Sequence, residues 1–165
     1  TTYGWFARSR INSSSSLRLQ TTDGTARGWY YADNSNQQGF LSTGGGWNLR
    51  VDNSGNVYAT NDVTAFASDM RLKTNIEQID NALEKVCKLN GFTYEFNELA
   101  NSMGFMKERR FSGVSAQEVN EVLPEAVRPA PVNDEYLTVQ YEKLVPLLIE
   151  AIKDLSEKVK RLENK

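Results

Sequence analysis

The sequence predicts an α+β chain in two parts: a β-rich segment over residues 1 to about 66, and a small α+β unit after it that ends in a long helix. Three observations carry this prediction. Gly, Ser and Asn cluster early, among short runs that alternate apolar and polar residues. Apolar residues at helical spacing belong to the second part, beginning with Ile79, Leu83, Val86 and Leu89. From Tyr141 onward the apolar spacing becomes a regular 4, 3 repeat.

In the first part, Ser16-Leu17-Arg18-Leu19-Gln20 and Gly28-Trp29-Tyr30-Tyr31 read as short strands. Trp47, Leu49 and Val51 alternate with Asn48 and Arg50. Asp52-Asn53-Ser54-Gly55-Asn56 then supplies turn residues before Val57-Tyr58-Ala59-Thr60, which together predict a hairpin. No strict repeat period emerges. Strands this short and polar do not close a core within one chain, so burial against identical neighbours is expected. Gly44-Gly45-Gly46 lacks the Lys and helix that follow a phosphate loop, and reads as a plain loop.

In the second part, Ile79, Leu83, Val86 and Leu89 define one helical face. With Asp80 as N-cap and Asn90-Gly91 as stop, they predict a helix over 80–90. The single cysteine, Cys87, falls on that helix and is expected to be a buried small hydrophobe rather than a reactive thiol. Phe92–Phe96 alternates as a strand, Asn97–Arg110 reads as its loop, and Phe111–Val114 as its pairing partner. Ala116–Val122 predicts a short helix ended by Pro124, and Arg128–Asp134 a turn-rich connection. Tyr141, Val145, Leu148, Ile152, Leu155, Val159 and Leu162 then form a heptad seam, with Val145, Ile152 and Val159 at a and Leu148, Leu155 and Leu162 at d. By rule, β-branched residues at a with Leu at d favour two strands, and Lys158 at g would pair with Glu163 at the following e of a parallel neighbour. Pro146 fits only in the first turn of such a helix.

Composition narrows the chemistry. With no His and one Cys among 165 residues, the chain cannot build a Ser-His-Asp triad, a Cys-His pair, a zinc finger or a His-based metal site. Neither metal nor cofactor is expected, and acid–base work falls to Lys, Tyr, Asp or Glu. A formal charge of -2 gives no basic field, so nucleic acid and anionic membranes are not expected partners. There is no apolar run of about 18 residues to enter a bilayer. Beginning at Thr1 without Met or leader, the sequence reads as a fragment of a longer polypeptide.

The feature that carries chemistry is Ser68-Asp69-Met70-Arg71-Leu72-Lys73, set where the Gly/Asn-rich stretch gives way to a helix-forming one. A hydroxyl nucleophile and an amine base beside a domain boundary suggest a chain that cuts itself there. A lysine serves as base if its pKa falls from about 10.4 toward 7 to 8, through burial or a neighbouring cation such as Arg71. A separation of five residues places the two groups on one face of neither helix nor strand. A turn over Asp69–Arg71, capped by Asp69, or a Lys73 from a neighbouring chain is therefore required. The plainer reading of Ser68-Asp69 is a helix cap, and of Arg71 and Lys73 a solvated face.

Residues 62–165 resemble the intramolecular chaperone auto-processing domain at the C-termini of bacteriophage tail fibres, tailspikes, endosialidases and neck appendages. Four blocks carry the resemblance: Ser68–Ile76, Gly91-Phe92-Thr93-Tyr94, Gly113–Val119 with Leu123–Val127, and Tyr141–Leu148. The looser composition of residues 1–61 resembles the distal β-rich part of a tail fibre. The resemblance implies a homotrimer whose C-terminal helices form a three-stranded coiled coil, and a domain that aligns three chains before releasing itself. It makes Ala67-Ser68 the scissile bond, Ser68 the nucleophile and Lys73 the base. Gln117 and Glu118 match a family block without an assigned role. It further implies a virion component made in the host cytoplasm, whose residues 1–61 meet a host cell-surface receptor. Trp5, Trp29, Tyr30, Tyr31 and Trp47 are read first as packing between subunits and second as carbohydrate contacts. The alternative is a trimer tip that stays uncleaved and binds the receptor. The self-cleaving segment of membrane-bound eukaryotic transcription factors is also similar, but the membrane helix and basic region of those proteins have no counterpart here.

Overall fold

A computed structural model describes residues 14–64, 67–105 and 109–164; Trp5 lies outside them. The chain divides into two compact units, Thr1–Leu72 and Lys73–Lys165.

The first unit is an antiparallel meander of β1 (Ser14–Gln20), β2 (Ala26–Asp33), β3 (Gln38–Leu41), β4 (Trp47–Val51) and β5 (Val57–Ala59), each strand paired to its sequence neighbour. The expected strands are present, including the β4–β5 hairpin, and β3 is an addition the sequence reading did not contain. Although no period is visible in the sequence, the four connections share one closure. Thr21, Asp33, Ser42 and Asp52 each donate their backbone N–H to the carbonyl four residues on, at 2.8–3.1 Å. Asp33 and Asp52 repeat a further detail, each carboxylate accepting two backbone N–H groups of its own loop. The Asn56 amide and the Tyr58 hydroxyl also bind Asp52, and these bonds, Asn56 foremost, hold its pKa down to about 2.

Register sorts the side chains of this sheet. Leu17, Tyr30, Phe40, Leu49 and Ala59 lie opposite one another across all five strands, with Leu19, Val51 and Val57 on the same face. The other face carries Arg18, Trp29, Tyr31, Trp47, Arg50 and Tyr58. There Tyr31 meets Trp47 edge-on at 5.6 Å, and the Arg50 guanidinium lies over the Tyr58 ring. Among the described residues, every buried apolar side chain belongs to the second unit. Leu17 on the apolar face is 51% exposed and Val57 65%. Gly39 of β3 has φ 156° and carries its backbone hard against Leu49 and Arg50 of β4, where no Cβ fits.

The second unit contains α1 (Ala82–Cys87), β6 (Gly91–Tyr94), α2 (Glu98–Ser102), β7 (Phe111–Val114), α3 (Ala116–Val122), β8 (Val127–Ala130), β9 (Asn133–Val139) and α4 (Leu144–Glu163). β6 pairs with β7 as expected, and α3 ends before Pro124. Pro146 sits in the first turn of α4. Two small cores hold the unit. Ala82, Leu147 and Ala151 join α1 to α4, while Val119, Ala126 and Val127 join α3 to the strand that follows it. Leu147 is fully buried. Leu147→Ala is expected to lower unfolding stability by about 3 kcal/mol, read as a shifted urea midpoint, because the cavity would lie between two helices that cannot both close in.

Several expectations are corrected. The first helix spans Ala82–Cys87 rather than 80–90. Asp80 does not cap it but binds Lys85 at 2.9 Å, and the N-cap is Asn81, in a left-handed conformation without a side-chain cap. Cys87 is exposed, at the last position of this short helix, whose packed residues are Ala82, Leu83 and Val86. The expected loop after β6 contains α2, capped by the Asn97 side chain, which accepts the Ala100 N–H. The expected connection over Arg128–Asp134 is largely a hairpin, β8 and β9, in a two-stranded sheet where Pro129 lies opposite Leu137. A strand with a free edge tolerates the missing N–H of proline. Tyr141 precedes α4 instead of opening its seam, and its hydroxyl accepts the Val114 N–H over Gly113, where a Cβ would collide with it.

Candidate functional site

The motif Ser68–Lys73 forms a tight turn. Met70–Leu72 is a single 3-10 turn, closed by the Leu72 N–H donating to the Asp69 carbonyl at 3.1 Å. The Asp69 side chain accepts the Arg71 N–H at 2.9 Å, an N-cap of the kind its sequence position suggests. Arg71 also lays its guanidinium on the Asp69 carboxylate at 2.7 Å. That side-chain bond, then the backbone one, lowers the Asp69 pKa. The turn required between Ser68 and Lys73 is thus present. Arg71 is not the uncompensated cation the sequence reading invoked, since Asp69 meets its charge. Ser68 lies near the end of the first unit, which closes at Leu72, and Lys73 opens the second, so the two expected partners fall on either side of the division. Met70, Leu72 and Ile76 around them are all exposed apolar side chains.

Gln117 and Glu118 lie in the first turn of α3, behind the Ser115 cap. Glu118 has a clear structural task. Its carboxylate accepts both the backbone N–H of Asn90 at 2.9 Å and the Asn90 side-chain amide at 3.1 Å, fixing the approach to β6. Gln117 accepts the Ser115 hydroxyl at 3.1 Å and lines a cavity of about 440 Å³ beside Phe92, Tyr94 and Tyr141. These positions were legible in the sequence as a block; their contacts were not.

The helix α4 is divided lengthwise. Leu147 and Ala151 are buried against α1, and Glu150 and Asp154 are part-buried beside them. Val145, Leu148, Ile152, Leu155, Val159 and Leu162 are all exposed on the single chain, Ile152 to 66% and Leu162 to 69%. From Leu155 to Asn164 every described residue is exposed. The heptad seam is therefore an apolar stripe that its own chain leaves in water, while the face beside it does the intramolecular packing. None of the described helices is long and apolar enough to cross a membrane.

Residues 68–128 match the family model described as chaperone of endosialidase, a family of self-cleaving peptidases. The chain is 40% identical over 118 residues to the long tail fiber proteins Gp37 of Enterobacteria phages K3 and T2. It is 39% identical over 98 residues to the protein of the same name from Enterobacteria phage M1. These alignments take in 68% of this chain but 9% of the K3 and T2 proteins, and 58% of this chain against 38% of the M1 protein. The chain thus spans only a small part of the length of the K3 and T2 relatives.

Proposed function

We propose that residues 62–165 are the C-terminal intramolecular chaperone of a phage tail fibre, which gathers three copies of the chain, lets residues 1–61 fold against one another, and then cuts itself away. The observation that carries this reading is the bare seam of α4. Six apolar side chains at heptad spacing, unburied by their own chain, are an association surface. Three such helices in a parallel coiled coil raise the local concentration of the attached β-segments to roughly millimolar. The first unit fits the same logic. Among the described residues its apolar row from Leu17 to Ala59 stays largely exposed, and identical rows from two further copies would cover it.

In the self-cleavage step, Ser68 Oγ attacks the Ala67 carbonyl carbon while the Lys73 amine accepts the hydroxyl proton. The Ala67–Ser68 C–N bond then breaks, the proton passes to the departing Ser68 nitrogen, and an ester joins the Ala67 carbonyl to Ser68 Oγ. Water hydrolyses that ester, leaving a carboxylate on Ala67 and the free hydroxyl on Ser68. The released residues 1–67 remain in the virion and meet the host receptor, in keeping with the tail-fibre relatives. Without the domain the fibre is held by its unfolding barrier, a kinetic stability.

The test is a denaturing gel with intact mass on freshly folded wild type beside Ser68→Ala and Lys73→Ala. Fragments meeting at Ala67-Ser68 in wild type, and reduced at least about a thousandfold in rate in both variants, are expected. A folded trimer that stays uncut throughout would instead make the domain a permanent fibre tip.

A further inference from the structure

Two carboxylates of α4 reach across to the segment that follows Lys73. Asp154 Oδ2 accepts the Leu83 N–H at 3.1 Å, and Glu150 Oε2 accepts the Gln78 side-chain amide at 2.7 Å. The Leu83 amide is one of the first N–H groups of α1, which have no partner within their own helix. The residue that should cap them, Asn81, makes no side-chain cap bond. Asp154 therefore supplies from another helix the cap that α1 lacks in its own sequence. Glu150 is only 17% exposed and is also bound by Lys153 at 2.6 Å. Together these bonds keep the Glu150 pKa below the usual carboxylate range, so it grips as an anion.

Glu150 and Asp154 share a face with Leu147 and Ala151, at i, i+3, i+4 and i+7, while Leu148, Ile152 and Leu155 of the seam look elsewhere. One helix thus carries both the association surface and the grip on residues 78–83, which begin five positions after Lys73. We infer that Glu150 and Asp154 are positioning residues for self-cleavage: these carboxylates fix residues 78–83 and so set the lysine five residues upstream. This inference rests on the self-cleavage reading above and adds to it the side chains that hold the segment following the base.

The experiment compares Glu150→Ala and Asp154→Ala with Glu150→Gln and Asp154→Asn in the full chain. It reads the cleavage rate on a denaturing gel, assembly by sedimentation, and exchange of the Leu83 amide. Gln78 and Leu83 are donors and need only an acceptor, which the amide variants keep. The alanine variants are expected to remain assembled and to cut about tenfold more slowly, the scale of one hydrogen bond to a charged group. Asp154→Ala is also expected to exchange Leu83 faster, and the amide variants to recover most of the rate. Assembled alanine variants that cut at the wild-type rate overturn the inference alone. So does a slowing that the amides fail to rescue or that tracks loss of assembly, since both residues would then serve only the fold. An uncut wild type overturns the self-cleavage reading and this inference together.

Discussion

The double substitution Ile152→Glu with Leu155→Glu is expected to leave the chain monomeric and uncut. Both side chains are exposed on the single chain, so the second unit loses no core contact, and the change costs it no more than about 0.5 kcal/mol. In the assembled seam the same positions would bring six carboxylates into an apolar interface. Burying an ion without a partner costs several kcal/mol each, which exceeds what about three heptads can return. Sedimentation equilibrium at increasing concentration would show a single chain mass, circular dichroism would show loss of helix limited to the last turns of α4, and the gel would show less than about a tenth of wild-type cleavage. A variant that still associates with wild-type strength would mean that the seam is not the association surface.

Gly39→Val is expected to destabilise the first unit by about 3 kcal/mol or more, the largest single effect in that sheet. The atoms that a new Cβ would meet are backbone, the Leu49 carbonyl and Arg50 Cα at 2.7 Å, and backbone inside a paired strand cannot step aside. Gly24→Ala is the matched control. Gly24 also has a positive φ, of 85°, but a Cβ there meets nothing within 4 Å, so only the conformational cost of about 1 kcal/mol remains. Urea unfolding followed through Trp29 and Trp47, both on this sheet, separates the two. Equal midpoint shifts in the two variants would show that conformation alone, not the approach of β4, demands glycine at position 39.

Much of this was legible because the signals are local. The heptad seam, the helix α3 ended by Pro124, the β6–β7 pair and the β4–β5 hairpin each follow from periodicity and turn chemistry within a few residues. The tight turn after Ser68 followed from the same reasoning, because Asp69 and Arg71 are two residues apart. What escaped depends on distant partners. Asp80 looked like the cap of α1, but the acceptor for Leu83 comes from Asp154, 71 residues away. Glu118 showed only as a motif match, and its bonds to Asn90 span 28 residues. The β8–β9 hairpin was hidden by its prolines, since residue type alone does not tell an edge strand from a turn. Cys87 was placed inside by its apolar neighbours, a reading that assumed a longer helix than the six residues that form.

The strictly sequential pairing of β1 to β5 has a kinetic consequence. Every ladder in that sheet joins neighbours across a connection of a few residues, so the contact order within one copy is low. Hairpins of this kind close in about 1–10 μs. Three copies meeting in solution, by contrast, depend on a higher power of concentration and slow steeply as the protein is diluted. If three chains assemble as proposed, the rate-limiting event is encounter rather than strand formation. A tether that converts encounter into an intramolecular step changes the order of the reaction, so the yield of correctly registered fibre would become nearly independent of how much chain the host has made.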